Sequence, residues 1–149
     1  MNTDLTKEQK DYAIFLPAIS GFYATFIGKQ RREEYVERTR IPSNFPNDVE
    51  SLNWLNRNDG MFQYNWSLYS AGHAELDINK DSPKEDMIRN RDRNTSWLLG
   101  DSGGFQIGKG VWEGDWKDPN CPKAKKKREQ VLRWMDAYMD YGMILDIPA

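Results

Sequence analysis

Apolar side chains return at helical spacing between Pro122 and Asp140, at Val131, Met135, Tyr138 and Met139. This predicts an α-helix along that stretch, with Gly142 where a helix stop is expected. Ahead of it, Trp97–Gly100 is a short, continuous apolar run, the pattern of a strand buried on both faces. Behind it, Met143, Ile144 and Leu145 predict a second strand ending at Asp146. Strand, helix and strand in that order make a βαβ unit. Such a unit requires parallel pairing and an α/β fold.

The remaining pattern is weaker. Thr6-Lys7-Glu8-Gln9 fits a capping box, with Tyr12 to Leu16 as the first apolar stretch. Pro17 forces its predecessor to be extended, so Ala13–Leu16 reads as a strand end. Lys29–Arg38 is densely charged and predicts a solvated helix; Pro42, Pro46 and the Asn and Asp residues of Ser43–Asp48 mark a loop. Asp48 then caps a short helix through Asn56, with Val49, Leu52 and Leu55 on one face. Polar and apolar residues alternate in part of Gly60–Gly72, which predicts a strand there. Ser82-Pro83-Lys84-Glu85 combines a hydroxyl cap, a first-turn proline and a glutamate three residues on, so a helix should run from it to about Arg91.

The 149 residues predict a single domain, 1–149, large enough for a real core. Aromatic residues make up 13%, enough for that core or for stacking on bases. The net charge of −2 carries no general basic signal, so any nucleic-acid surface must be a local patch. Cys121 is the lone cysteine, which excludes an internal disulfide and fits a reducing, cytoplasmic setting. Neither a basic-then-apolar leader nor a run of about 18 apolar residues is present, so no membrane role is expected.

Chemistry concentrates in one segment. The strand ending at Leu99-Gly100 runs into Asp101, Ser102, Gly103, Gly104, Phe105 and Gln106. A strand end is where α/β enzymes place reacting groups, and paired glycines let backbone amides come close to a ligand. Asp101 there either handles protons and a purine edge or caps a turn with Ser102. Phe105 is a stacking face or a core residue; Gln106 offers a donor and an acceptor, or is an exposed loop amide. Asp146 ends the second apolar strand in the same way.

This DSGGFQ segment resembles the signature of the tRNA-guanine transglycosylase superfamily. Phe15–Tyr23 (FLPAISGFY) and Tyr141–Pro148 (YGMILDIP) are similar to its DNA-modifying branch, the deazaguanine DNA transglycosylases of phages and bacterial islands. The resemblance implies a TIM (β/α)8-type barrel, of which this chain would hold only an amino-terminal portion, since a full barrel takes about 250 residues. The expected reading is a truncated or split gene product, completed by a second chain or a carboxy-terminal half. It implies exchange of a guanine in DNA, with tRNA as the alternative, for a free 7-deazaguanine-type base. Asp101 would take part in recognition and proton handling, Ser102, Gly103 and Gly104 would bind polar edges, Phe105 would stack, and Gln106 and Asp146 would read the base. Double displacement at C1′ needs a carboxylate nucleophile, which in the family lies downstream, as does the zinc site of the tRNA branch. No cofactor is therefore expected in this chain, and Cys121 with His73 is not a zinc constellation.

Two further features stand outside the motif. Lys123, Lys125, Lys126, Lys127 and Arg128 form the basic cluster of the chain, at a helix start where the macrodipole disfavours positive charge. They are phosphate ligands or a solvated face. Trp112 and Trp116, among the glycines of Gly108–Gly114, form a flexible aromatic loop that stacks on a displaced nucleotide or packs on the surface. His73 reads as structural or exposed. Rival functions are a non-catalytic remnant that binds a base or nucleic acid, and an unrelated α/β hydrolase of N-glycosidic bonds.

Overall fold

A computed structural model describes residues 13–29 and 31–149, so the Thr6–Gln9 capping box and Tyr12 lie outside the described residues. Helices and strands are interspersed in an α/β arrangement: α1 (Gly21–Ile27), β1 (Trp66–Ser70), α2 (Asp86–Arg89), β2 (Trp97–Asp101), α3 (Gly104–Gly108), α4 (Pro122–Tyr138) and β3 (Tyr141–Gly142). Short 3-10 turns occupy Arg38–Arg40, Asp48–Leu52 and Pro83–Glu85. The chain divides into two compact units, one of residues up to 67 with 83–97, the other of 68–82 with 98–149.

In the first unit, Ser20 caps α1 by accepting from the Tyr23 amide at 3.0 Å, and Ala24 and Ile27 turn into the core. A methyl at Gly28 would lie 2.4 Å from the Pro83 carbonyl oxygen, so only glycine allows the end of α1 to sit this close to the Pro83–Glu85 turn. Met87 and Ile88 of α2 are buried. Trp66 and Trp97 stack edge-tilted at 5.5 Å, and Trp97 N–H donates to Asn65 O.

Several local expectations give way here. Ala13–Pro17 forms no strand; Phe15 is exposed and its carbonyl instead accepts from the Tyr64 hydroxyl. The charged stretch after Lys29 is turns rather than a helix. Arg32 pairs with Glu34 two residues on and reaches back to Thr25 O, while Glu33 takes a left-handed φ of 55° that breaks helical continuity. Asp48 opens a five-residue 3-10 turn, with φ 47°, instead of capping an α-helix to Asn56. The Ser82–Glu85 start is realised as a 3-10 turn leading into α2, and Glu85 is buried beside Arg89 at 3.4 Å.

The second unit carries the βαβ. The sheet order is β1-β2-β3, and β2 pairs β3 in parallel with Leu99 opposite Tyr141 and Gly100 opposite Gly142. The long helix forms nearly where its periodicity predicted, burying Ala124, Val131 and Trp134. It ends differently. Met139 leaves the helix in extended conformation, and Gly142, the expected stop, is a strand residue. Pairing therefore begins at Tyr141, and the expected strand Met143–Asp146 is irregular, with Ile144 93% exposed. Asp140 explains the earlier register. Its carboxylate accepts from the Leu98 amide at 2.9 Å, and its own amide donates to Leu98 O at 3.0 Å. Those bonds lock the chain onto β2 before the apolar run is reached. Among the described residues no helix is long and apolar enough to cross a membrane.

Candidate functional site

Asp101 stands at the carboxyl end of β2, half-buried, with its carbonyl accepting from Ala71 N–H at 2.9 Å. The chain then turns sharply. Gly103 takes a φ of 83°, a left-handed conformation that glycine adopts without steric cost, and so starts the five-residue helix α3. Ser102 and Gly103 are buried beneath this turn.

Asp146 comes to the same place through its backbone. Its amide reaches Ser102 Oγ at 3.5 Å, the outer limit of a hydrogen bond, and its carbonyl oxygen sits 2.6 Å from where a Cβ of Gly104 would be. A Cβ at Gly103 would likewise meet the Trp112 ring at 2.4 Å. The space freed by the two glycines is thus taken by the chain itself. The Asp146 residue is exposed and follows an irregular segment rather than a strand.

Phe105 is 68% exposed at the start of α3, with Lys109 Nζ over its ring 5.7 Å from the centroid. Gln106 behaves oppositely. It is buried, and a methyl at Gly72 would come within 2.1 Å of its carboxamide. Its Oε1 is buried without a hydrogen-bond partner among the described residues. A buried amide oxygen in that state costs about 1–3 kcal/mol and calls for a donor. Sequence reading missed this pairing of Gln106 with the Gly72 turn. The signal was the glycine that interrupts the alternation just after β1. The neighbouring His73 is exposed.

The aromatic loop is anchored rather than loose. Trp116 is buried and donates from Nε1 to Trp112 O at 3.0 Å, with the two rings 6.3 Å apart. Trp112 is half-buried, and Lys127 Nζ lies 5.3 Å from its ring centroid. Of the basic cluster, Lys123 pairs with Glu113 at 2.6 Å and Arg128 donates to Pro119 O at 2.8 Å, while Lys125 and Lys126 are exposed.

Cys121 precedes α4 with its sulfur facing the Ala124 and Asp115 amides, which hold its thiol below the ordinary value; Asp115 N–H lies 3.2 Å from Sγ. The thiolate is the reactive form. Alkylation by iodoacetamide, followed by intact mass against pH, should therefore reach half its plateau rate at a lower pH than a free cysteine peptide does. A profile matching the peptide would show that these amides do not favour the thiolate. Among the described residues no group of three His, Cys, Asp or Glu side chains is placed to hold a metal ion. Comparison with protein-family models, with curated proteins and with solved structures finds no match to this chain.

Proposed function

We propose that this chain is the base-recognition part of a transglycosylase that exchanges a guanine in DNA for a 7-deazaguanine base, and that its α/β unit is the amino-terminal portion of a TIM-type barrel. The observation that carries the reading is the meeting of two distant segments. Both the end of β2 and the segment after β3 arrive at Ser102 and Gly104, 44 positions apart in the case of Ser102 and Asp146. Convergence of the segments that follow successive strands at one rim is how a barrel assembles a site. The exposed Phe105 and the unpartnered Gln106 Oε1 support it further, as a stacking face and as an acceptor for a purine-type N–H.

In this proposal Asp101 binds the polar edge of the heterocycle and handles its proton. Ser102 and the Gly103–Gly104 backbone hold the turn in place, and Phe105 stacks. Gln106 reads the base once its carboxamide turns from Gly72, and Asp146 contributes its carboxylate from the other segment. The carboxylate that attacks C1′ is supplied by later parts of the barrel, on this chain's continuation or on a partner.

The test is incorporation of labelled 7-deazaguanine into DNA and into tRNA, by the chain alone and together with a partner that supplies the remaining strands. Incorporation confined to DNA and reduced at least about 100-fold in Asp101→Ala is the expected result, the scale of a lost acid–base group. Undiminished incorporation by Asp101→Ala overturns the assignment of Asp101, and incorporation into tRNA alone overturns the choice of DNA. No incorporation with either acceptor, in the presence of such a partner, overturns base exchange.

A further inference from the structure

Positions 123, 126, 127 and 130 fall on one face of α4 at i, i+3, i+4 and i+7 spacing. They put Lys123, Lys126, Lys127 and Gln130 along one wall of an open groove of about 360 Å³, whose other wall is the turn carrying Trp112 and Glu113. Ala124, Val131 and Trp134 are buried along the flank of this stripe, so the helix backbone that carries the lysines is held by packing. Trp112 is fixed as well, by its contact with Gly103 and by the Trp116 bond. Three ammonium groups and one carboxylate leave the lining net positive. An indole sits among them, with Lys127 held against its ring.

We infer that this groove binds an unpaired nucleotide of a single DNA strand, its base on Trp112 and its flanking phosphates on Lys126 and Lys127. The chemistry is complementary in both parts. A base displaces the ammonium from over the indole, and the phosphate that arrives with it receives that same ammonium, so no charge is left without a counter-charge. Lysines beside an aromatic platform are the recurring solution for holding single strands without reading sequence. A duplex keeps its bases stacked and offers Trp112 no face. Glu113 opposes the strand, because it lies on the groove wall and holds Lys123 in an ion pair. The inference rests on the nucleic-acid substrate proposed above, though not on base exchange.

Fluorescence anisotropy of a labelled oligothymidylate, and of a duplex of equal length, tests it with the full chain. The single strand should bind more tightly than the duplex and quench tryptophan emission. Lys126→Glu should weaken binding and lower the slope of log affinity against log salt by about 0.7, the share of one phosphate contact on a single strand. Lys84→Glu, an equal charge change at an exposed position of the other unit, should leave binding unchanged. Trp112→Ala should weaken binding about tenfold or more, and Trp112→Phe far less, while Glu113→Gln should strengthen it. Circular dichroism checks that each variant is folded; should Trp112→Ala unfold, Lys126→Glu and the quenching of Trp112→Phe decide. Preference for the duplex, equal losses from Lys84→Glu and Lys126→Glu, or wild-type binding by folded Trp112→Ala overturns the inference. Because incorporation of deazaguanine is measured separately, loss of strand binding here leaves base exchange standing, and the reverse holds too.

Discussion

Trp134→Ala is expected to destabilise the protein by about 3–5 kcal/mol, the range for removing a large ring from a packed core. Trp134 is 1% exposed. Its ring lies 6.2 Å from that of Tyr69, and its Cζ3 would stand 3.3 Å from a Cβ at Gly100. The indole therefore packs α4 against the strands bearing the candidate site, beside Met135 and Met139. Whole-domain stabilities run to about 5–15 kcal/mol, so the variant would be close to unfolding at room temperature. Urea denaturation checks this through a lower midpoint at unchanged slope. Trp134→Phe, which keeps a ring in the cavity, should lose less than half as much. A loss below about 1 kcal/mol for the alanine variant would show that α4 is not held to the sheet by this side chain.

The second large effect belongs to Gly103→Ala, expected to cost about 2–5 kcal/mol. Two separate penalties add. A left-handed φ of 83° is unfavourable for a residue with a Cβ by about 1–2 kcal/mol, and overpacking a filled site costs about 1–3 kcal/mol. The added methyl would lie 2.4 Å from Cη2 of Trp112, on the far edge of its ring. Trimming that ring separates the two penalties. In the double variant Gly103→Ala, Trp112→Leu, the steric part should vanish and the conformational part persist, giving a coupling energy of about 1–3 kcal/mol in a double-mutant cycle read from denaturation midpoints. Strict additivity would mean that Gly103 and Trp112 do not touch.

The pair links the motif to the strand groove. Glycine at 103 first suggests a backbone amide open to a ligand, and in the folded chain that space holds an indole edge. The edge of the Trp112 indole therefore packs directly on the turn that follows β2. Gly104 repeats the device with the Asp146 carbonyl as the filling group.

Much of this was legible before folding. The βαβ order, the apolar strand ending at Asp101, the lysine run and Val131 on the buried face of α4 follow from spacing within one or two turns of chain, whereas the burial of Ala124 and Trp134 did not show in it. A helix or a strand announces itself through neighbours that are close in sequence, and so does a cluster of like charges. The failures share a cause as well. The charged stretch after Lys29 scored as a helix on composition, yet Arg32 found Thr25 and Glu34 instead. Met143–Leu145 carried the better strand pattern, yet Asp140 bound Leu98, more than 40 positions away, and set the register two residues earlier.

Local pattern, then, was enough to specify the kinds of element, their order, and which stretch carries a carboxylate, a hydroxyl, two glycines and a ring in succession. Folding in three dimensions settled the rest: Gln106 turned inward onto Gly72, Phe105 left outward, Asp146 brought to Ser102 by its backbone, and Trp112 set against the lysine face of α4. Periodicity is a short-range property that each segment carries alone. Close approach between segments tens of residues apart is a matter of which groups compete for the same volume and the same donors, and that competition exists only once the chain has packed.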